Sequence, residues 1–446
     1  MTTGEIRSGL RTCLLSGLCA SAMLALAACT TTGSDAAQVP ATTQTSQVER
    51  FSPEGLAELD AMMKKAVDTG EVHGLAYLLV ADDEEIQRNY FGYRSAENEL
   101  PITEDTIYRV YSMTKPITGI AMMMLWEEGK WKLDDPITKY IPELSDLKVL
   151  DGVNEDGTPR LVDMERPPTM RELMSHTAGF AYGLGGTDPA NQAFRDEQVL
   201  RSPDFDTLID RVSGIPLLFQ PGEDWFYSVS VDLQGYIVEK LSGQKFGEFL
   251  DERIFTPLDM DDAAFYVSAD DYDRFSSVYT YSKDAGGLIN VDEEGRGFRK
   301  ETVAFESGGG GLVMTLDDYA HFCQMLLNGG SYNGKKLVEP ETVALMATDV
   351  LPEGVEIWSA GNTDSRNGSG QGFGLDFGIV TDPVAAGTGQ GAGSYYWGGA
   401  AGTWFWIDPV NDLYFVGMIQ RMSGNPESDY DPRAVSRTGV YNALQD

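Results

Sequence analysis

Cysteine is scarce and poorly placed for cross-linking. Of the four, Cys13, Cys19 and Cys29 fall at the N-terminus, which leaves Cys323 alone in the body of the chain. One thiol forms no internal disulfide, and scattered cysteines make no zinc site. Histidine is scarcer still. With only His73, His176 and His321, neither an imidazole-built metal centre nor any other cofactor is expected. Basic charge is short as well: 33 Lys and Arg stand against 69 Asp and Glu, a net charge of −36. Such a surface repels nucleic acid and does not concentrate anionic substrates. No Gly-x-Ser-x-Gly nucleophile elbow occurs anywhere. What is present is enough for a core, because 42% of the 446 residues are hydrophobic and 10% aromatic. That composition excludes disorder and collagen-like repeats, and the length allows two or three average domains or one composite one.

The N-terminus reads as an address. Arg7 and Arg11 precede an apolar run from Cys13 to Ala28, shorter than the ~20 residues that a membrane span needs. The run ends in Leu26-Ala27-Ala28-Cys29, which resembles the bacterial lipobox, cut before a cysteine that then carries lipid. An ordinary secretory signal cut near Ala28 is the alternative. Residues 1–28 are therefore expected to be a signal peptide, 29–48 a flexible tether of Thr, Ser, Gln, Ala and Gly, and 49–446 the globular part. The expected destination is the periplasm or the outer membrane, with a lipid on Cys29 as the only membrane attachment. Thr30 after the cysteine, rather than Asp, favours the outer membrane by analogy.

From about Arg50 the pattern is that of a folded domain. Ser52-Pro53 forms an N-cap and first-turn pair, Leu56, Leu59 and Met63 share a helical face, and Gly70 marks a stop. Gly74–Ala81, an acidic turn at Asp82-Asp83-Glu84, and Ile86–Phe91 read as a hairpin. At the far end Phe373–Val380, Thr403–Ile407 and Leu413–Gln420 are strand-like, with a turn at Asp408-Pro409 and Asn411-Asp412. The middle is mainly helical, as at Ile117, Ile120, Ala121, Met124 and Leu125. Strands at both ends with helices between them predict one sheet interrupted by a helical insertion.

The chemistry is carried by serine and lysine. Three Ser-x-x-Lys sequences occur where about one is expected by chance, so context decides. In Ser145-Asp146-Leu147-Lys148 charge flanks the serine, and in Ser242-Gly243-Gln244-Lys245 a glycine breaks the preceding helical pattern. Both read as turns. Ser112-Met113-Thr114-Lys115 instead follows the apolar stretch Ile107–Tyr111. A helix starting there would put both side chains on one face, with Ser112 at the positive end of the dipole. Pro116 is close enough to the first turn for its missing N–H to be tolerated. A free ammonium titrates near ~10.4, so an amine that works as a base near neutral pH needs about 4 kcal/mol from burial and a hydrogen-bonding neighbour. Tyr227, in the run from Pro221 to Val229, is the best candidate for that neighbour. Its phenol could share one proton with the amine.

Together these segments resemble the serine β-lactamase and penicillin-recognising superfamily, closest to class C β-lactamases and to the family VIII carboxylesterases built on that fold. The resemblance runs from about residue 53 to 425. It rests on Ser112-Met-Thr-Lys115, Ser175-His-Thr-Ala-Gly179, Tyr227-Ser228-Val229, Ser307-Gly-Gly-Gly-Gly-Leu312 and Trp397-Gly-Gly-Ala400. It implies an α+β fold: an antiparallel sheet from about 49–112 and 301–446, flanked by N- and C-terminal helices, with a mostly helical subdomain inserted over about 113–300. Class C enzymes carry Tyr-x-Asn and Lys-Thr-Gly where this chain has Val229 and Trp397-Gly398-Gly399. A neutral indole cannot hold the β-lactam carboxylate as that lysine does. The lost charge-assisted hydrogen bond is worth roughly 1.5–3 kcal/mol, about ten- to hundredfold in binding.

The resemblance thus implies a serine carboxylesterase for short-chain, neutral acyl esters. Ser112 would attack the carbonyl while Tyr227 and Lys115 move its proton. The oxyanion would sit between the backbone N–H groups of Ser112 and Ala400, and Trp397, Gly398 and Gly399 would border the substrate. A β-lactamase or D-Ala-D-Ala carboxypeptidase is the second reading, and an acyltransferase would use the same site. No protein partner is evident. Trp397 reads equally as a pocket wall or a packed strand residue. His176, in Ser-His-Thr-Ala-Gly, reads as a helix end rather than a base, and Gly308–Gly311 as close packing rather than a phosphate loop. Gly398 and Gly399 are expected to let the backbone approach the substrate.

Overall fold

Gly74–Ala81 is apolar or small throughout, and all eight of its residues are buried, so the strand needs cover on both faces. Leu75, Tyr77 and Leu79 enter a core shared with the helices Pro53–Asp68 and Pro432–Ala443, while Ala76, Leu78 and Val80 enter the larger core on the other side. Asp82 and Asp83 both take positive φ, 51° and 63°, the conformation of a two-residue hairpin turn. The first helix begins as expected: Ser52 Oγ accepts from Gly55 N at 3.0 Å.

The computed structural model describes residues 50–445 apart from 293–297, 301, 302, 304, 356 and 358–368. The expected leader over 1–28, the tether over 29–48 and Cys29 lie outside the described residues. Eight described strands form one sheet, in spatial order Gln371–Phe373, Gly378–Val380, Tyr395–Gly398, Trp404–Asp408, Leu413–Met418, Gly74–Ala81, Glu84–Ser95 and Leu100–Pro101. Every pairing is antiparallel. The strands Gly74–Ala81 and Leu413–Met418, far apart in sequence, pair near the sheet centre, and the helices Pro53–Asp68 and Pro432–Ala443 pack together over one face. The other face carries the helix Thr114–Glu127, buried continuously from Thr114 to Leu125. It is apolar almost all round because it lies between the sheet and the inserted helices, packed against Ser230–Ser242.

The inserted segment 113–300 is mostly helical in its elements, as expected, but it also holds two hairpins that the pattern did not announce, Lys148–Val153 with Pro159–Asp163 and Tyr279–Ser282 with Gly287–Asn290. These hairpins are short and bury a single strand residue each, so no buried face imposes the alternation that a sequence pattern could reveal. One expectation needs correction: Phe373–Val380 is not one strand. Gln371–Phe373 and Gly378–Val380 pair across a turn in which Asp376 has φ 64°. At Gly374 a Cβ would lie 1.9 Å from the Met346 carbonyl oxygen, and only glycine lets the chain turn there.

Candidate active site

Ser112 sits in a tight 3-10 turn, Tyr111–Met113, that runs directly into the helix Thr114–Glu127. Tyr111 has φ 44°, a conformation that costs a bulky residue about 1–3 kcal/mol and persists only where its surroundings impose it. Here the ring is fixed edge-on against Phe298 at 5.7 Å, and the kink leaves Ser112 half-buried at a cavity wall. Of the other two Ser-x-x-Lys sequences, Ser145 lies in a turn as expected, whereas Ser242 is the last residue of the helix Ser230–Ser242 and the turn follows it. Lys148 is exposed and pairs with Asp163, and Lys245 pairs with Glu239 beyond a left-handed Gly243.

Lys115 is 1% exposed. Its Nζ donates to Gly309 O at 2.6 Å, approaches Tyr182 Oη at 3.2 Å and lies 3.4 Å from Ser112 Oγ. The glycine run makes this possible. A Cβ on Gly308 would meet Val231 O at 2.5 Å, and one on Gly309 would meet Asp232 Oδ2 at 2.5 Å. Gly309 N also donates to Asp232 Oδ1 at 3.1 Å, as does the Ser307 hydroxyl. Burial pushes the Asp232 carboxyl up; the Lys115 charge and these hydrogen bonds oppose it. A buried carboxyl group is thus joined to a buried amine through the backbone of a single residue, Gly309.

Tyr227 reaches the same place, but its contact with Lys115 differs from the expected one. The ammonium lies over the ring face, 4.4 Å from the centroid, and the Tyr227 hydroxyl has no hydrogen-bond partner among the described residues. Aromatic packing sets this orientation: ring centroids of His176, Tyr182, Trp397 and Trp225 lie 5.0, 5.4, 5.5 and 6.3 Å away. The phenol within hydrogen-bond reach of the amine is Tyr182, whose hydroxyl is held well above its ordinary value by burial and by the Asp232 charge. His176 is fully buried with φ 60°. Its Nδ1 accepts from Ser228 N at 3.2 Å and contacts Ser228 Oγ at 2.9 Å, so the ring braces the residue after Tyr227. Burial first, and the Lys115 charge second, hold the imidazole well below its ordinary value. It is a neutral brace.

A cavity of about 640 Å³ opens over Ser112, bordered by Trp225, Tyr227, Trp397, Gly398, Gly399 and Ala400, and by Arg433 and Arg437 of the C-terminal helix. Trp397 is therefore both pocket wall and packed strand residue, its ring 5.3 Å from that of Phe373. The glycines beside it border the cavity and are needed for a second reason as well. A Cβ on Gly399 would lie 2.2 Å from Thr403 Oγ1 and 2.3 Å from Val110 O; one on Gly398 would lie 2.9 Å from the Arg433 guanidinium. Both make room for protein atoms. Val110 opens the turn that carries Ser112, so strand end and serine turn are in direct contact. Among the described residues no cluster of three or more His, Cys, Asp or Glu is arranged to hold a metal.

Four site residues escaped the sequence reading: Tyr182, Asp232, Arg433 and Arg437. An aspartate inside the apolar stretch Val229–Tyr236 is a signal that could have found Asp232, because a charge on a buried helix needs a partner. The arginines gave none; they follow Asp431-Pro432 as any exposed helix start might.

Comparison with known proteins agrees with this geometry. The Beta-lactamase family model matches residues 59–439, and the chain belongs to that family. It is similar to protein Rv1367c of Mycobacterium tuberculosis, 33% identical over 86% of this chain and 98% of the relative. Esterase EstB of Burkholderia gladioli is 31% identical over 78% of this chain and 86% of its own length. The unliganded structure of simvastatin synthase LovD from Aspergillus terreus superposes with a TM-score of 0.75 at 23% identity, covering 88% of this chain and 99% of that one. The fold is the β-lactamase-like α+β fold, and the protein is a serine hydrolase of that family.

Proposed function

We propose that this serine hydrolase is an exported carboxylesterase that cleaves short-chain, neutral acyl esters through an acyl-enzyme on Ser112. The observation that carries the reading is the setting of the Lys115 amine, buried 3.4 Å from Ser112 Oγ. Its other contacts are Gly309 O, which can only accept, and Tyr182 Oη. In the neutral form the amine keeps N–H bonds for those two and turns its lone pair toward the serine hydroxyl. It takes that proton as Oγ attacks the ester carbon. The oxyanion is received by the backbone N–H groups of Ser112 and Ala400, each such donor being worth about 3–4 kcal/mol. As the ester C–O bond breaks, Lys115 returns that proton to the leaving alkoxide, and the Tyr227 phenol, at the cavity wall, stabilises the alkoxide by a hydrogen bond. Water, activated by Lys115, then releases the acid and restores the Ser112 hydroxyl. The indole and phenol walls at Trp225, Tyr227 and Trp397 suit an uncharged acyl chain, and the likeness to EstB, an esterase by name, points the same way.

One observation favours a second reading. Arg433 and Arg437 border the cavity, so the cation lost with the third-motif lysine has a counterpart from another element. A β-lactamase or D-Ala-D-Ala carboxypeptidase would use it on the substrate carboxylate. Parallel assays with p-nitrophenyl butyrate and a chromogenic cephalosporin separate the two, with Ser112→Ala as control. Ester turnover that falls by at least ~10³ in Ser112→Ala is expected. Cephalosporin turnover without ester turnover reverses the order, and ester turnover that survives in Ser112→Ala removes the nucleophile. Adding a short alcohol to the ester assay detects acyl transfer, since a transferase yields new ester in place of acid.

Export rests on the leader over 1–28, the tether and Cys29. We expect the mature protein to label with palmitate and to fractionate with membranes, and Cys29→Ala to release it. Equal fractionation of both forms would refute the anchor.

A further inference from the structure

The strand Tyr395–Gly398 ends in a turn whose bonding is defined. Gly399 N donates to Thr403 O at 2.8 Å, and Gly402 N to Gly399 O at 3.0 Å. A β-turn joins the carbonyl of its first residue to the N–H of its fourth, which leaves the second residue's N–H outside the turn's own bonding. Here that residue is Ala400, at the cavity wall with Ser112. The Gly399 carbonyl and the Ala400 N–H belong to one peptide unit. Because a peptide is planar and trans, the two bonds point in opposite directions. Whatever fixes the carbonyl therefore aims the N–H.

Arg433 grips that carbonyl. Its Nη2 donates to Gly399 O at 2.9 Å and to Thr403 O at 3.1 Å, joining both sides of the turn. The guanidinium fills the space that a side chain at position 398 would need. Its own backbone is pinned, since Asp431 caps the C-terminal helix by accepting from Arg433 N at 2.9 Å. A cation on the carbonyl oxygen also polarises the peptide and makes the N–H on its far side a stronger donor.

We propose that Arg433 is a positioning residue for catalysis: by gripping the Gly399 carbonyl it aims and strengthens the Ala400 N–H at the developing oxyanion. The inference rests on the reading of Ser112 as nucleophile and Ala400 as oxyanion donor. Arg433 itself touches no reacting atom. A lysine at this position would keep the charge but present no planar fork to two carbonyls.

The test compares full-length wild type, R433K and R433A on p-nitrophenyl butyrate. Inhibition by an alkyl trifluoromethyl ketone, whose serine adduct carries an oxyanion, is measured alongside. Removing an oxyanion donor costs 10²–10³ in kcat, so misaiming one should cost about 10- to 100-fold. KM should stay within about threefold, and the inhibition constant should rise in step with the fall in kcat/KM. Methylguanidinium should restore part of the rate of R433A, which loss of stability alone would not allow. If R433A does not fold, R433K carries the same kcat and inhibitor comparison. Unchanged kcat and unchanged inhibitor affinity in a folded variant overturn the inference, as does a defect confined to KM. Ser112→Ala tells the two failures apart. If it stays active, the underlying reading falls; if it is inactive while the arginine variants are normal, only the role of Arg433 falls.

Discussion

Replacing Gly399 with alanine would put a methyl group 2.2 Å from Thr403 Oγ1 and 2.3 Å from the Val110 carbonyl oxygen. Ordinary contact begins near 3.4 Å, so about 1 Å has to be found. The φ of Gly399 lies outside the left-handed region, and the cost is therefore steric rather than conformational. Neither neighbour yields easily. Thr403 Oγ1 donates to Val110 O at 3.3 Å, and Val110 O also accepts from Met113 N at 3.0 Å across the serine turn. The displacement must open the gap between the segment holding Ser112 and the segment holding Ala400. Overpacking of this kind costs about 1–3 kcal/mol of stability, a shift of a few degrees in melting temperature for a chain of this size. A misplacement of about 1 Å at reacting groups costs about a hundredfold in rate. Gly399→Ala should thus remain folded and lose roughly two orders of magnitude in kcat on p-nitrophenyl butyrate. Adding Thr403→Ala relieves one contact and leaves the Val110 carbonyl in place, so the double variant should regain stability more than rate. A Gly399→Ala enzyme that keeps kcat within about threefold of wild type would refute the argument that this contact sets the site.

Tyr182→Phe removes the hydroxyl beside Lys115 Nζ and keeps the ring packed on Tyr227; kcat should fall about tenfold, with stability lowered by no more than about 1.5 kcal/mol. An unchanged kcat would assign the amine's placement to Gly309 alone. Trp397→Ala should raise KM for short acyl esters and shift preference toward longer ones, because it deepens the cavity beside Tyr227; unchanged chain-length selectivity would remove the indole from the acyl wall. His176 gives a pH dependence of stability. The native imidazole is held below its ordinary value of 6.5, so below about that pH the unfolded chain binds a proton that the native one does not. Its contribution is complete above about pH 6.5 and is lost as the pH falls, at up to about 1.4 kcal/mol per pH unit. His73 is shifted the same way, so the measurement is the difference between wild type and His176→Asn melts. Parallel pH curves would count against the neutral buried ring.

How far the sequence could be read depended on whether a physical constraint left a local trace. The hairpin at Gly74–Phe91 and the helix after Ser52-Pro53 were legible because caps, turns and apolar faces are local. The candidate nucleophile stood out because an apolar lead-in and a helix start separate Ser112 from Ser145 and Ser242. The hairpins at 148–163 and 279–290 were not legible, since each buries a single strand residue, Val149 and Tyr279 respectively, too few to set a pattern. Nor was the partner of the Lys115 amine. Choosing between the Tyr182 and Tyr227 hydroxyls depends on ring orientation, which the packing of His176, Trp225 and Trp397 decides across segments distant in sequence. Arg433 was illegible for the same reason: its target is a backbone carbonyl, and backbone leaves no residue-specific mark.

That last point bears on how one scaffold changes substrate. Along Tyr395–Gly398 and the turn beyond it, side chain and backbone do different jobs. The Trp397 side chain faces Tyr227 and the cavity, where it meets whatever is bound. The backbone at Gly399 is tied to Val110 and Thr403 on one side and Arg433 on the other. On the proposed reading the reaction draws only on that backbone, through the Ala400 N–H. A lysine-to-tryptophan replacement at the strand position can then exchange a carboxylate anchor for an apolar wall and leave the oxyanion donor where it was. The converse should hold as well: a substitution that moves the backbone, as at Gly399, should depress turnover of every ester by a similar factor, whereas one at Trp397 should reorder esters among themselves.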